Sequence, residues 1–229
     1  MLKGEIKKEN LIKLSEKLFF ERGYNQTSIQ QLVEAFQCTK GSFYHHFESK
    51  LQILSEVCAR RSEMAFAAYQ QKDYHRPLEK LNGLLYHAVP FRHGEEEMMA
   101  LLLPLAGTTE SDVVLQAILK AQEALFRPEM EAVLEQLKAE GTVYYTLPSV
   151  PQLLWDTYTA LYRRLLTLMP SAREAVCAQE INENLRAARF MWERLLDAPF
   201  AGVEIVRADE ITFAMRNAIL RAERRDQQL

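Results

Sequence analysis

The chain has 229 residues, 48% of them hydrophobic, enough to bury a substantial core as one large domain or as a small domain fused to a larger one. A formal net charge of −3 argues against a generic polyanion binder. The charge is also uneven: residues 1–60 hold nine Lys/Arg against seven Asp/Glu, and residues 61–229 hold 19 against 24, so nucleic acid, if bound at all, belongs to the N-terminal quarter. Cys38, Cys58 and Cys177 share neither CxxC nor metal-ligand spacing and read as the reduced thiols of a cytoplasmic protein. The opening MLKGEIKKENLIKL lacks the apolar run of a secretion signal, and no later stretch reaches the roughly 18 uninterrupted apolar residues of a membrane span, so a cytoplasmic protein with no membrane partner is expected.

Apolar residues recur at three- and four-residue steps almost throughout, which predicts an all-α protein. Leu11, Leu14, Leu18 and Phe19 form the stripe of a first helix that ends near Arg22, because Gly23 accepts the left-handed conformation used at helix C-termini. Thr27 and Ser28 are capping residues for a short second helix carrying Ile29, Leu32, Val33 and Phe36. Thr39 caps a third with Phe43 and Phe47 on one face, and Ser49 a fourth that runs through Leu51, Leu54, Val57 and Cys58. Beyond Tyr69 about six longer helices are expected, separated at Pro77, 90–94, 104–109, 141–151, 169–171 and 199–202. Residues 112–140 read as one helix that Pro128 kinks or divides, and residues 209–229 as an amphipathic helix whose RAERRDQQL end frays into solvent.

Two short helices around a tight turn, the second about two turns long, are what a helix-turn-helix needs to lay a recognition helix in a major groove about 12 Å wide. In TSIQQLVEAFQCTKGSFYHHFESK, Ile29, Leu32, Val33, Phe36, Phe43 and Phe47 close a small core and leave Thr39, Lys40, Ser42, Tyr44 and His45 facing outward. Gly41, with no side chain, lets the backbone of the third helix approach a duplex. Thr27-Ser28, Thr39-Lys40-Gly41, Tyr44-His45-His46-Phe47 and Lys50 resemble the DNA-binding motif of the TetR (tetracycline-repressor-like) family, with residues 8–54 carrying the likeness. The resemblance implies a three-helix DNA-binding lobe over residues 1–50 and a larger helical effector-binding and dimerisation body over 51–229. It implies phosphate contacts from Thr27, Tyr44 and Lys50 and base-edge or backbone contacts from Thr39, Lys40, Ser42 and His45, with Ser28 and Gly41 completing the set. Phe36 and Gln37 depart from the family's small residue and glycine in the turn, so a non-glycine has to hold a positive φ or the turn shifts.

One recognition helix buries too little surface for useful affinity, so a homodimer on double-stranded, palindromic operator DNA is expected. The resemblance places its interface on the last two long helices, at Leu153, Leu161 and Leu165 and at Leu185, Ala188 and Trp192, the alternative being that these stripes are intramolecular core. Ala160, Ala187 and Ala188 would allow close approach. It places an effector cavity among the middle helices, where Phe66, Tyr69, Tyr86, Phe91, Met98, Met99, Phe126, Trp155 and Tyr158 suit a small apolar or aromatic ligand. His87, His93 and the run Glu95, Glu96, Glu97 bracket a loop without fixed ligand spacing, so no metal is expected. No Gly-rich phosphate loop, HExxH, nucleophile elbow or convincing carboxylate pair is present, which argues against an enzyme or a cofactor. The expectation is a ligand-released repressor whose signal passes through residues 51–61; the alternative is a body serving as a protein-interaction platform or an activator without a small ligand.

Overall fold

The computed structural model describes residues 3–227, which form α1 (Lys3–Arg22), α2 (Ile29–Ala35), α3 (Lys40–Tyr44), α4 (Lys50–Gln70), α5 (Pro77–Ala88), α6 (Glu96–Leu102), α7 (Thr109–Ala139), α8 (Val150–Leu168), α9 (Ala175–Leu195) and α10 (Ala208–Asp226), with no strand among them. Their starts follow from local chemistry. Ser28, Thr39, Ser49 and Thr108 each accept a hydrogen bond from the amide three residues on, satisfying a donor that the first turn leaves unpaired. Pro77 and Pro151 sit in first turns, where a missing N–H costs nothing.

The longest helix, α7, packs along α4 with α5 against both, and α8 and α9 pair beside them. Helix α7 runs as one helix through Pro128, so of the expected kink or division the division does not occur. A proline inside a helix costs about 3 kcal/mol through the lost bond and the crowded preceding turn. Pro128 itself is exposed, while Phe126, Met130, Val133, Leu134 and Leu137 around it are buried. At about 1.5–3 kcal/mol for each large apolar side chain, that burial outweighs the cost.

The chain's end also differs from expectation. Helix α10 lies on α6 and α9 and remains helical to Asp226, with Ala218, Ile219 and Ala222 buried; Gln228 and Leu229 lie outside the described residues, as do Met1 and Leu2 at the other end. Its last turn is tied down: Arg225 donates to the Ala100 carbonyl at 3.2 Å, and Arg221 pairs with Glu97 at 3.3 Å. Arg225 also rests on Gly23, where a Cβ would stand 3.0 Å from its Nε. Gly23 has a φ of 87°, so the α1–α2 turn needs glycine for its backbone as well as for this contact.

The stripes read as a dimer interface are mostly covered by the chain itself. Leu161, Leu165, Leu185, Ala188 and Trp192 are buried between α8, α9 and their neighbours, and the Trp192 indole N–H donates to Thr157 Oγ1 at 3.1 Å. Periodicity identifies a face that is covered, not what covers it. Of the six, only Leu153 is exposed, and it is joined on the outer faces of α8 and α9 by Ala160, Ala187, Phe190, Met191 and Leu195. None of the described helices is long and apolar enough to cross a membrane.

Candidate nucleic-acid interface and ligand cavity

The N-terminal lobe is a small core of Phe19, Leu32, Val33, Phe43 and Phe47, all buried, that fixes α2 and α3 against α1. Ser28 and Gln31 form a reciprocal capping box at the start of α2, and Thr39 Oγ1 accepts from the Ser42 amide at 3.1 Å at the start of α3. Between them the chain reverses at Gln37, whose φ of 50° is the left-handed conformation that the missing glycine would have supplied. Holding a side chain there costs about 1–2 kcal/mol, and glycine loses about 0.5–1 kcal/mol in backbone entropy on folding. Gln37→Gly is therefore expected to raise stability by up to about 1 kcal/mol in urea unfolding; a loss of stability would show that the Gln37 side chain contributes more than its strain.

Thr39, Lys40, Gly41, Tyr44 and His45 all lie exposed on or beside α3, with Ser42 half-buried and Ser28 exposed at the start of α2. Tyr44 is 50% exposed and meets the buried Phe43 ring edge-on at 5.5 Å, so its outward direction is set by the lobe's core. Two members of the expected set lie elsewhere. Thr27 is buried, its hydroxyl donating to the Gly23 carbonyl at 2.7 Å, so it closes the α1–α2 turn rather than facing a phosphate. Lys50 is half-buried, with its ammonium 2.8 Å from the Tyr24 carbonyl that accepts from it and 4.2 Å from the centre of the Tyr24 ring; burial lowers its pKa. It joins the α1–α2 turn to the start of α4.

Charged pairs tie this lobe to the body. Lys8 meets Glu56 at 2.6 Å, Arg60 meets Glu16 at 2.6 Å, and Arg61 on α4 reaches Glu95 at the start of α6 at 2.7 Å. Arg92 shares Glu95 at 3.2 Å. Glu95 is thus engaged by two arginines, and His93 pairs with Glu96 at 2.8 Å, which accounts for most of the acidic run; no group of three or more metal-ligating side chains is present among the described residues.

Behind α6 lies a narrow apolar cavity of about 20 Å³, walled by Phe91, Met98, Met99, Leu102, Leu115, Ile118 and Leu166. Two methionines give it adaptable walls. Of the nine side chains expected at an effector cavity, it brings together Phe91, Met98 and Met99. Phe66, Tyr69 and Phe126 instead pack on one another along α4 and α7, with the Phe66 and Phe126 rings 4.9 Å apart. Tyr86 faces an outer groove and donates to Glu210 at 2.7 Å. Trp155 and Tyr158 are core residues of α8, the Tyr158 hydroxyl donating to the Leu85 carbonyl. The aliphatic walls escaped the sequence reading because leucine and isoleucine at helical spacing look the same whether they line a cavity or fill a core.

The sequence pattern described as "Bacterial regulatory proteins, tetR family" matches residues 11–57, the lobe and the start of α4. The transcriptional repressor KstR2 of Mycolicibacterium smegmatis is 33% identical over 94 residues, 39% of this chain and 46% of that protein, so the match spans less than half of the relative's length. The transcriptional repressor DhaR of Mycobacterium sp. (strain GP1) is 25% identical over 174 residues, 72% of this chain and 83% of that protein. Among solved structures, RolR in complex with resorcinol shares the fold at a TM-score of 0.51 and 18% identity, covering 91% of this chain and 93% of that one. The capped α2–turn–α3 unit thus lies in the segment that is similar to the TetR family of bacterial regulatory proteins, and the helical body beyond it shares the fold of RolR.

Proposed function

We propose that the protein is a ligand-released transcription repressor of the cytoplasm that binds double-stranded operator DNA as a homodimer and acts by binding rather than by catalysis. The observation that carries this reading is α3, a short helix anchored by Phe43 and Phe47 that holds Lys40, Tyr44 and His45 outward on one small lobe. In this reading residues 1–50 contact DNA, with the Tyr44 hydroxyl on a phosphate and Lys40 and His45 at base edges, supported by Ser28, Thr39, Gly41 and Ser42. Residues 51–229 pair the subunits and sense the ligand. A second copy would cover the outer faces of α8 and α9 at Leu153, Phe190, Met191 and Leu195. A small apolar or aromatic effector entering the cavity would displace α6, and the Glu95–Arg61 pair would carry that shift into α4 and alter the separation of the two recognition helices from the roughly 34–36 Å that successive major grooves require.

The test is a mobility shift at fixed salt with the DNA flanking the protein's own gene. Wild type is expected to give a specific shift, and Tyr44→Ala to weaken it about tenfold, the value of one hydrogen bond to a charged phosphate. No specific shift at any salt concentration would remove this reading and leave the motif as a helical lobe.

A further inference from the structure

The cavity behind α6 has apolar walls, but the interior next to it holds polar atoms with nothing to bond. His87, in the last turn of α5, and Gln122, in the middle of α7, are 6% and 3% exposed. Both His87 ring nitrogens, Gln122 Oε1 and Arg92 Nε are shut off from solvent and lack a hydrogen-bond partner. Gln122 is held in one orientation because its side-chain N–H donates to the Ala88 carbonyl at 2.7 Å, which leaves Oε1 as an acceptor.

Chain and helix neighbours connect these atoms to the cavity wall. Gln122 stands one turn beyond Ile118 on the same face of α7, and Ala88 precedes Pro90 by two residues; Ile118 and Pro90 both line the cavity. Arg92 follows Phe91, another wall residue, whose ring meets Tyr162 at 6.3 Å. The Arg92 guanidinium lies 5.7 Å from the centre of the Tyr86 ring, which meets the His87 ring edge-on at 5.5 Å. Native interiors pair nearly all their buried polar atoms, since each one left alone costs the full loss of its hydration. The two His87 nitrogens lie on opposite edges of the ring, so a single ligand group bonds one of them.

The donors and acceptors specify the missing partner. Gln122 Oε1 accepts, Arg92 Nε donates, and a neutral imidazole offers one of each. A carboxylate brings no hydrogen for Gln122, and an ammonium would face the Arg92 charge. A hydroxyl both donates and accepts. We propose that the cavity and the His87, Arg92 and Gln122 cluster are two halves of one binding site, and that its ligand is an uncharged apolar molecule ending in a hydroxyl group, an alcohol or a phenol. This rests on the ligand-responsive reading above and names the chemistry of its effector. Arg92 also shares Glu95 with Arg61, so a ligand bonded to Arg92 Nε acts one side chain away from the link to α4.

Calorimetric titration of the full chain with 4-butylphenol, butylbenzene and 4-butylbenzoate tests it. Wild type is expected to bind the phenol about tenfold more tightly than the hydrocarbon and more tightly than the anion. His87→Leu and Gln122→Met, made separately on different helices so that one folded variant suffices, should bring phenol and hydrocarbon within about twofold of each other. Equal binding of phenol and hydrocarbon by wild type, a preference that survives in either variant, or tightest binding of the benzoate would overturn the proposal while leaving a ligand-responsive body intact. Binding of none of the three would overturn both.

Discussion

Trp192→Ala is expected to destabilise the protein by about 3–5 kcal/mol, lowering the midpoint of thermal unfolding by roughly 6–20 °C for a chain of this size. The side chain is fully buried, stands 6.2 Å from the Tyr158 ring, and spends its only donor on Thr157 Oγ1. Truncation leaves a void among α8, α9 and the surrounding core, and it removes the donor that Thr157 Oγ1 accepts from. The neighbouring Met191, 42% exposed on the same helix, provides the contrast: Met191→Ala should change the stability of the isolated subunit by less than about 0.5 kcal/mol. Urea unfolding of both variants, followed by far-UV circular dichroism, decides it. The reverse ordering would mean that α9 turns its other face to the core.

The second large effect is a loss of stability in mild acid. Burial, followed by the nearby positive charges of Arg92 and Lys72, pushes the His87 pKa down from 6.5 to about 4. The ring also neighbours Tyr69 and Tyr86, neither of which carries a charge at these pH values. In the unfolded chain His87 takes up a proton near pH 6.5, whereas in the folded protein it resists until about pH 4. The unfolded state therefore binds more protons across that window, so stability is complete above pH 6.5 and falls as pH drops toward 4. At ~1.4 kcal/mol per pH unit the ceiling is about 3 kcal/mol, and about 2 kcal/mol is expected once partial solvation is allowed for. Urea midpoints at pH 7, 6 and 5 should decline in wild type and stay nearly level in His87→Leu. An equal decline in both would assign the acid sensitivity to other groups.

Both predictions depend on side-chain surroundings, which is where the sequence was least legible. Helix types and most ends could be read directly, because Ser28, Thr39 and Ser49 announce their helices through their own hydrogen-bonding chemistry, and Gly23 announces a turn through its missing Cβ. The strain at Gln37 was legible for the same reason, as a local backbone requirement. Questions of what covers a face were not. The stripe through Leu161, Leu165 and Trp192 has the same spacing whether the chain's own helices or a second copy bury it, and the aromatic residues from Phe66 to Tyr158 look alike as core or as cavity wall. Motif matching had a similar limit at Thr27 and Lys50, where residue type agreed with the pattern but the side chains are committed to Gly23 and Tyr24. Pro128 left division of the helix open because its penalty is local while the burial that offsets it is distributed along α7.

The contact of Arg225 with Gly23 brings the last turn of the last described helix onto the α1–α2 turn of the N-terminal lobe. Synthesis runs from the N-terminus, so the lobe emerges early, and its short-range core of Phe19, Leu32, Phe43 and Phe47 has every partner it needs while the ribosome is still making the body. Its seat on that body is different, because one side of it does not exist until the final residues of α10 have been translated. A nascent chain thus carries a finished N-terminal lobe on an unfinished frame, and the orientation of that lobe is settled only once α10 has emerged.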